Sequence, residues 1–198
     1  MRNPLDRLTS RLPSPVATAV DWLATIALAV LAVLFVKVEV ANPYRIPSPS
    51  MEPTLHCARP IEGCRAQFSD RVVANRFIYR FRAPKRGEIV VFDTPATAAC
   101  GETGTFVKRI VGLPGEVLSV RDGFVYVDGV KLDEPYIEPS LRDDQTKTWR
   151  PIAEGRYFVM GDNRAASCDS RVWGTVPRDD LIGPVFLTYW PPNRLGTS

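Results

Sequence analysis

A chain of 198 residues, 45% apolar and 24% charged, has the composition of a folded globular domain and excludes a disordered or low-complexity protein. Its formal charge is only +3 and its basic residues are scattered, so the strongly basic face expected of a nucleic-acid-binding protein is not indicated.

In chain order, the first element is a hydrophobic run. Residues Val16 to Val36 are apolar or small except for Thr18, Asp21 and Thr25. As a helix they would extend about 32 Å, enough to cross a bilayer core. Asp21 falls toward the first end, where a charge reaches the headgroups at less cost than at the midplane. Arg2, Arg7 and Arg11 outweigh Asp6 ahead of the run, which places residues 1–15 in the cytoplasm and residues 37–198 outside. A cleavable signal fits less well, because the run exceeds a signal core of roughly 7–15 residues and Glu39 lies just before Ala41.

Cys57, Cys64, Cys100 and Cys168 all fall in the outer part, where disulfides can form. Local pairing of Cys57 with Cys64 is plausible, but the spacing leaves the connectivity open. His56 beside Cys57 raises zinc as a rival, yet there is no Cys-x2-Cys spacing and no metal is expected.

Pro43, Pro47, Pro49 and Pro53 keep the stretch after the hydrophobic run extended or turned. Strands are predicted over Arg71–Tyr79, Glu88–Phe92, Thr105–Val111, Tyr157–Met160 and Val185–Trp190. Glu116 to Leu132 reads as strands broken at Asp122-Gly123 and Asp128-Gly129, both strong hairpin signals. With 18 prolines and 13 glycines there is little room for helices beyond the first run, and the class is mainly β.

Three segments carry chemistry. The first, IPSPSMEPTL over Ile46–Leu55, offers Ser50 as a nucleophile; if extended, Ser48 and Ser50 project from one side. The second, FVKRIVGLPGE, sets Lys108 in a strand where Phe106 and Ile110 share its face and Arg109 points away. A buried lysine can stay neutral and act as a base, although on its own a lysine there reads as a surface residue. The third, GDNRAASCDSRVWGTV, packs polar groups into one loop, which in isolation reads as a solvated hairpin with a weak ion pair. A Ser-His-Asp scheme would have to use His56, the one histidine, and no sequence feature nominates its carboxylate.

Together, in this order, the three segments resemble the type I signal peptidases, membrane-bound serine proteases with a Ser and Lys pair, over most of residues 44–192. Lys108 places the chain with the bacterial-type branch, since the eukaryotic secretory relatives carry histidine there. The resemblance implies Ser50 as nucleophile and Lys108 as general base, with the Ser48 hydroxyl and the Ser50 backbone N–H at the oxyanion. Ser167 would hold the lysine and Asp169 would pair with Arg171, while Asp162, Asn163 and Arg164 organise the loop. Ala165 and Ala166 replace the more frequent acidic and amide residues. Small substrate pockets would be walled by Tyr44, Ile46, Met51, Leu55, Val91, Phe106 and Val107.

The implied architecture is a single N-terminal transmembrane helix over 16–36, then an all-β peptidase domain over 37–198 with a small β-rich insertion at about 116–158. The implied activity is removal of signal peptides from exported preproteins at the plasma (inner) membrane. The partners are those signal peptides and the lipid bilayer, without nucleic acid, cofactor or metal. Two rivals stand beside it: a specialised processing peptidase of the same family, and a membrane-tethered β-domain that binds peptides without cutting them.

Overall fold

The computed structural model describes residues 14–35, 41–94 and 104–197. The chain forms two compact units, Met1–Ala41 and Asn42–Ser198. The first contains helix α1, Ser14–Phe35. Pro15 lies in its first turn, where a missing N–H forfeits no helical bond, and the Thr25 hydroxyl donates to the Asp21 carbonyl at 2.8 Å. Trp22, Leu23, Ile26, Leu28, Leu31 and Val33 are exposed, and at 100° per residue they fall on all sides of α1.

A complete span over 16–36 is not sustained at this point. Among the described residues no helix is long and apolar enough to cross a membrane. Thr18, Asp21 and Thr25 confine the unbroken apolar run to Ile26–Phe35, and Val36 lies outside the described residues.

Beyond α1 the chain is mainly β. The strands are β1 (Ala41–Arg45), β2 (Arg71–Asn75), β3 (Ile89–Asp93), β4 (Thr105–Gly112), β5 (Leu118–Arg121), β6 (Phe124–Val127), β7 (Val130–Lys131), β8 (Lys147–Thr148), β9 (Arg156–Met160), β10 (Val176–Pro177) and β11 (Leu181–Trp190). A short helix α2 (Ser170–Trp173) and several 3-10 turns complete the described elements. The larger sheet runs β1-β2-β11-β3-β4-β9-β10 and the smaller β7-β6-β5-β8.

Both Asp-Gly pairs turn hairpins. Asp122 and Gly123 have φ of 48° and 75°, Asp128 and Gly129 of 49° and 83°, the left-handed conformation a two-residue hairpin loop requires. They close Arg121 on Phe124 and Val127 on Val130.

Two strands differ from their sequence expectation for local reasons. The strand from Arg71 stops at Asn75, whose side-chain oxygen accepts from the Phe77 and Ile78 N–H groups at 3.0 Å each and starts a turn. The last strand begins at Leu181 rather than Val185. It accommodates Pro184 centrally because the register against β3 shifts between Leu181 and Gly183, and an irregularity is where a sheet tolerates a residue without an N–H.

Alternation on β3 and β4 sorts apolar side chains to the two faces of the large sheet. Ile89 and Val91 join Ile46, Met51, Leu55 and Val185 on one side. Val90, Phe92 and Ile110 join Tyr79, Val159 and Trp173 on the other. A third cluster, with Val111, Leu118, Val125, Ile152, Phe158 and Met160, fills the space between the end of β4, β9 and the smaller sheet.

Cys57 and Cys64 form a disulfide, with Cα atoms 5.0 Å apart. Cys168 is also disulfide-bonded; Cys100 lies outside the described residues.

Tyr79 links the second cluster to a charged edge. Its hydroxyl donates to Glu88 at 2.9 Å, and Glu88 also pairs with Arg82. Burial, then the Glu88 charge, hold the Tyr79 phenol well above its ordinary value of 10.0. The folded state therefore binds a proton that the unfolded chain releases above about pH 10, so stability is full below that pH and falls as pH rises beyond it. Urea unfolding between pH 8 and 11 should show this loss, and Tyr79→Phe should reduce its slope; an unchanged slope would remove Tyr79 as its source.

Candidate active site

Ser50 sits in a single 3-10 turn, Pro49–Met51, within the stretch that the prolines hold extended or turned. Pro49 suits the first position of that turn, where its fixed φ is required and no N–H is missed. Ser48 ahead of it is extended, with φ −129° and ψ 157°. The two hydroxyls nonetheless approach, with Ser48 Oγ 3.2 Å from Ser50 Oγ. The turn is pinned by Met51, which is buried in the first apolar cluster, and by the Glu52 N–H donating to the Pro49 carbonyl at 3.0 Å.

Lys108 reaches this turn from the middle of β4. Its Nζ lies 2.6 Å from Ser50 Oγ, and the residue is 2% exposed. Val90 is its cross-strand partner on β3, and the Phe106 ring lies with its centroid 5.6 Å from Nζ. The adjacent Arg109 takes the opposite direction and donates from Nε to Asp162 Oδ1 at 2.9 Å and from Nη1 to the Gly87 carbonyl at 2.8 Å. Burial works against the Arg109 charge, but the hydrogen bonds and charge of Asp162 outweigh it and hold the guanidinium pKa above its ordinary value.

The third segment closes over the serine turn. The Asn163 N–H donates to the Ser50 carbonyl at 3.1 Å, and its side-chain amide donates to the Pro49 carbonyl at 3.2 Å. Asp162, fully buried, accepts from Thr54 Oγ1 at 2.6 Å and ties the loop to the residue after Pro53. Gly161 passes so close that a Cβ there would lie 2.4 Å from the Ser50 carbonyl oxygen.

Asp169 organises the remainder. Its carboxylate accepts from the Gly161 N–H at 3.0 Å, from Ser167 Oγ at 2.8 Å, and from Arg171 Nε at 2.8 Å. It also caps α2 through the Arg171 N–H at 3.2 Å. Two ion pairs reach this loop from the connection between β7 and β8: Glu134 with Arg164, both fully enclosed, and Asp143 with Arg171. Neither could be read from the sequence, since their members are 30 and 28 residues apart.

A cleft of about 210 Å³ opens beside Ser50 and Lys108. Of the residues expected as pocket walls, Ile46, Met51, Phe106 and Val107 line it. Tyr44, Leu55 and Val91 do not; they pack in the apolar cluster behind Ile46 and Met51.

His56 does have a carboxylate partner, which sequence reasoning missed. Its Nδ1 meets Glu52, a buried acid four residues earlier that also accepts from the Cys57 N–H at 3.1 Å. The hydrogen bond to the Ser50 hydroxyl from a basic group, however, comes from Lys108. Among the described residues no cluster of ligating side chains could hold a metal ion.

Comparison with known proteins points the same way as the geometry. The family described as "Signal peptidase, peptidase S26" matches residues 19–190. "Probable signal peptidase I-2" of Synechocystis is 42% identical over 175 residues, covering 87% of this chain and 73% of its own. "Signal peptidase I" of Leptolyngbya laminosa is 37% identical over 190 residues, covering 93% and 86%. "Signal peptidase IB" of Staphylococcus aureus is 30% identical over 187 residues, covering 86% and 89%.

Proposed function

The chain belongs to the signal peptidase family, peptidase S26, and is a serine endopeptidase that cleaves signal peptides; from that premise we propose that Ser50 is its nucleophile and Lys108 its general base. The observation that carries this assignment is the 2.6 Å contact between Lys108 Nζ and Ser50 Oγ. Enclosure of that kind penalises an ammonium relative to a neutral amine. The neutral amine takes the proton from Oγ as Oγ attacks the scissile carbonyl carbon. The Ser48 hydroxyl and the Ser50 backbone N–H stabilise the oxyanion, each donor worth about 3–4 kcal/mol in such sites.

Collapse of the tetrahedral intermediate breaks the C–N bond, and the proton held by Lys108 passes to the leaving amine. Water then gives a proton to Lys108 and attacks the acyl ester, and Ser50 is regenerated when its oxygen recovers that proton. Ser167 supports the base. Its hydrogen is committed to Asp169, so its oxygen presents lone pairs, the polarity needed to accept from the Lys108 amine. Asp169 and Arg171 hold Ser167 in place through their ion pair.

Ile46, Met51, Phe106 and Val107 wall the substrate pockets, with Tyr44, Leu55 and Val91 behind them. Apolar walls around so small a cleft favour the small residues that precede a signal-peptide cut. A preprotein whose signal ends in Ala-x-Ala should be cut by the enzyme and left intact by Ser50→Ala. Cleavage retained by that variant would overturn the assignment.

On the same reading the segment 16–36 attaches the enzyme to the inner membrane and residues 37–198 carry the peptidase, with 116–158 as a small inserted β-region. Support comes from the apolar side chains exposed all round α1, a pattern that water-exposed helices do not carry. Deleting residues 1–36 should leave cleavage of a short soluble peptide in place while lowering cleavage of a liposome-inserted preprotein, because a shared bilayer raises effective concentration. Equal loss on both substrates would contradict the attachment role.

A further inference from the structure

The cleft beside Ser50 is lined by Arg45, Ile46, Pro47, Ser48, Ser50, Met51 and the stretch Gly104–Lys108. Two of these are basic residues, Arg45 and Lys108, and neither wall contributes a carboxylate. Lys108 is enclosed and turned to the nucleophile. Arg45 is different: it is the last residue of β1, the edge strand of the larger sheet, and it is exposed.

Several arginines elsewhere in the fold are neutralised: Arg65, Arg82, Arg86, Arg109, Arg164, Arg171 and Arg194 each meet a carboxylate. Among the described residues Arg45 has no ion pair. Asp93 accepts from the Thr105 hydroxyl at 3.1 Å and does not itself line the cleft.

We infer that Arg45 is a charge-selecting residue of the substrate cleft, favouring an acidic side chain and disfavouring a basic one at a substrate position next to the cut. This rests on the proposed site at Ser50. A peptide lying extended between Ile46 and Thr105–Val107 must pass Arg45, an exposed residue of the cleft lining. An opposite charge brought there gains an exposed ion pair and a like charge meets repulsion. The apolar pocket walls supply no discrimination by charge, so the sign preference of the cleft comes from this side chain.

The test is a family of otherwise identical signal-peptide substrates bearing Asp or Lys in turn at each position from four before to two after the cut. Each is assayed for kcat/KM with the full-length enzyme and with Arg45→Glu, Arg45→Gln and Arg45→Lys. The readout is the Asp:Lys ratio, in which any general change in rate cancels. For the unaltered enzyme at low salt the ratio at one or two adjacent positions should exceed one, by about fivefold, the scale of an exposed pair gained and a repulsion removed.

Arg45→Gln should bring the ratio close to one, Arg45→Glu should invert it, and Arg45→Lys should keep it. Raising the salt to about 1 M should flatten it. A ratio that is the same in the unaltered enzyme and in Arg45→Gln at every position would overturn the inference. That outcome is distinct from failure of the Ser50 assignment, which would show instead as cleavage persisting in Ser50→Ala.

Discussion

Lys108→Met should lower kcat/KM by about 10²- to 10⁴-fold, the contribution of a positioned general base, while cooperative unfolding is retained. The residue is 2% exposed and its cross-strand partner Val90 is apolar, so an unbranched apolar side chain of similar length fills the same space. Removing a buried amine also removes its desolvation cost, which argues against a large loss of stability. On the proposed assignment Lys108 acts on the Ser50 proton rather than on the bound peptide, so KM should change little. In the unaltered enzyme activity should rise with pH as the amine loses its proton, and Lys108→Met should abolish that limb of the profile. Substantial activity with the pH limb intact would move the base elsewhere, and His56, paired with Glu52, would be the first alternative.

Gly161→Ala should be nearly as damaging by a different route. An added Cβ would lie 2.3 Å from Ser167 Oγ and 2.4 Å from the Ser50 carbonyl oxygen, distances that force one of them to move. The Ser50 carbonyl is backbone and is already held by the Asn163 N–H, so relief must shift either the turn that holds Ser50 or the loop that carries Ser167. Displacement of catalytic groups by about 1 Å costs on the order of 10²-fold in rate, and overpacking costs about 1–3 kcal/mol of stability. Steady-state kinetics with denaturant unfolding on the same preparation checks both effects. Unchanged kcat would show that the loop adjusts without moving Ser50.

The sequence was informative where structure depends on neighbours in the chain. Asp122-Gly123 and Asp128-Gly129 turn hairpins because two adjacent residues supply the positive φ that the turn needs. Alternation along Thr105–Gly112 likewise follows from strand period and separates the side chains of Lys108 and Arg109. Asn75 departs from its sequence pattern for the opposite reason: a side chain that competes for backbone N–H groups ends a strand whose apolar pattern continues.

Contacts across the chain were not legible. Ser50 and Lys108 are 58 residues apart, and only the resemblance to a family joined them before the fold was known. Glu134 with Arg164 and Asp143 with Arg171 draw on a chain that is 24% charged, in which many partners are equally plausible from sequence. The wall residues divided for a geometric reason: Tyr44, Leu55 and Val91 are as apolar as Ile46 and Met51, but they pack behind the cleft surface.

The most direct test of Ser50 as nucleophile is a rapid acid quench during turnover of a signal-peptide substrate, followed by mass spectrometry of the intact enzyme and of its peptides. The expected result is an enzyme species heavier by the acyl portion of the substrate, bonded as an ester at Ser50 and absent from Ser50→Ala. Turnover at the full rate with the adduct on another residue, or an adduct still formed by Ser50→Ala, would contradict it.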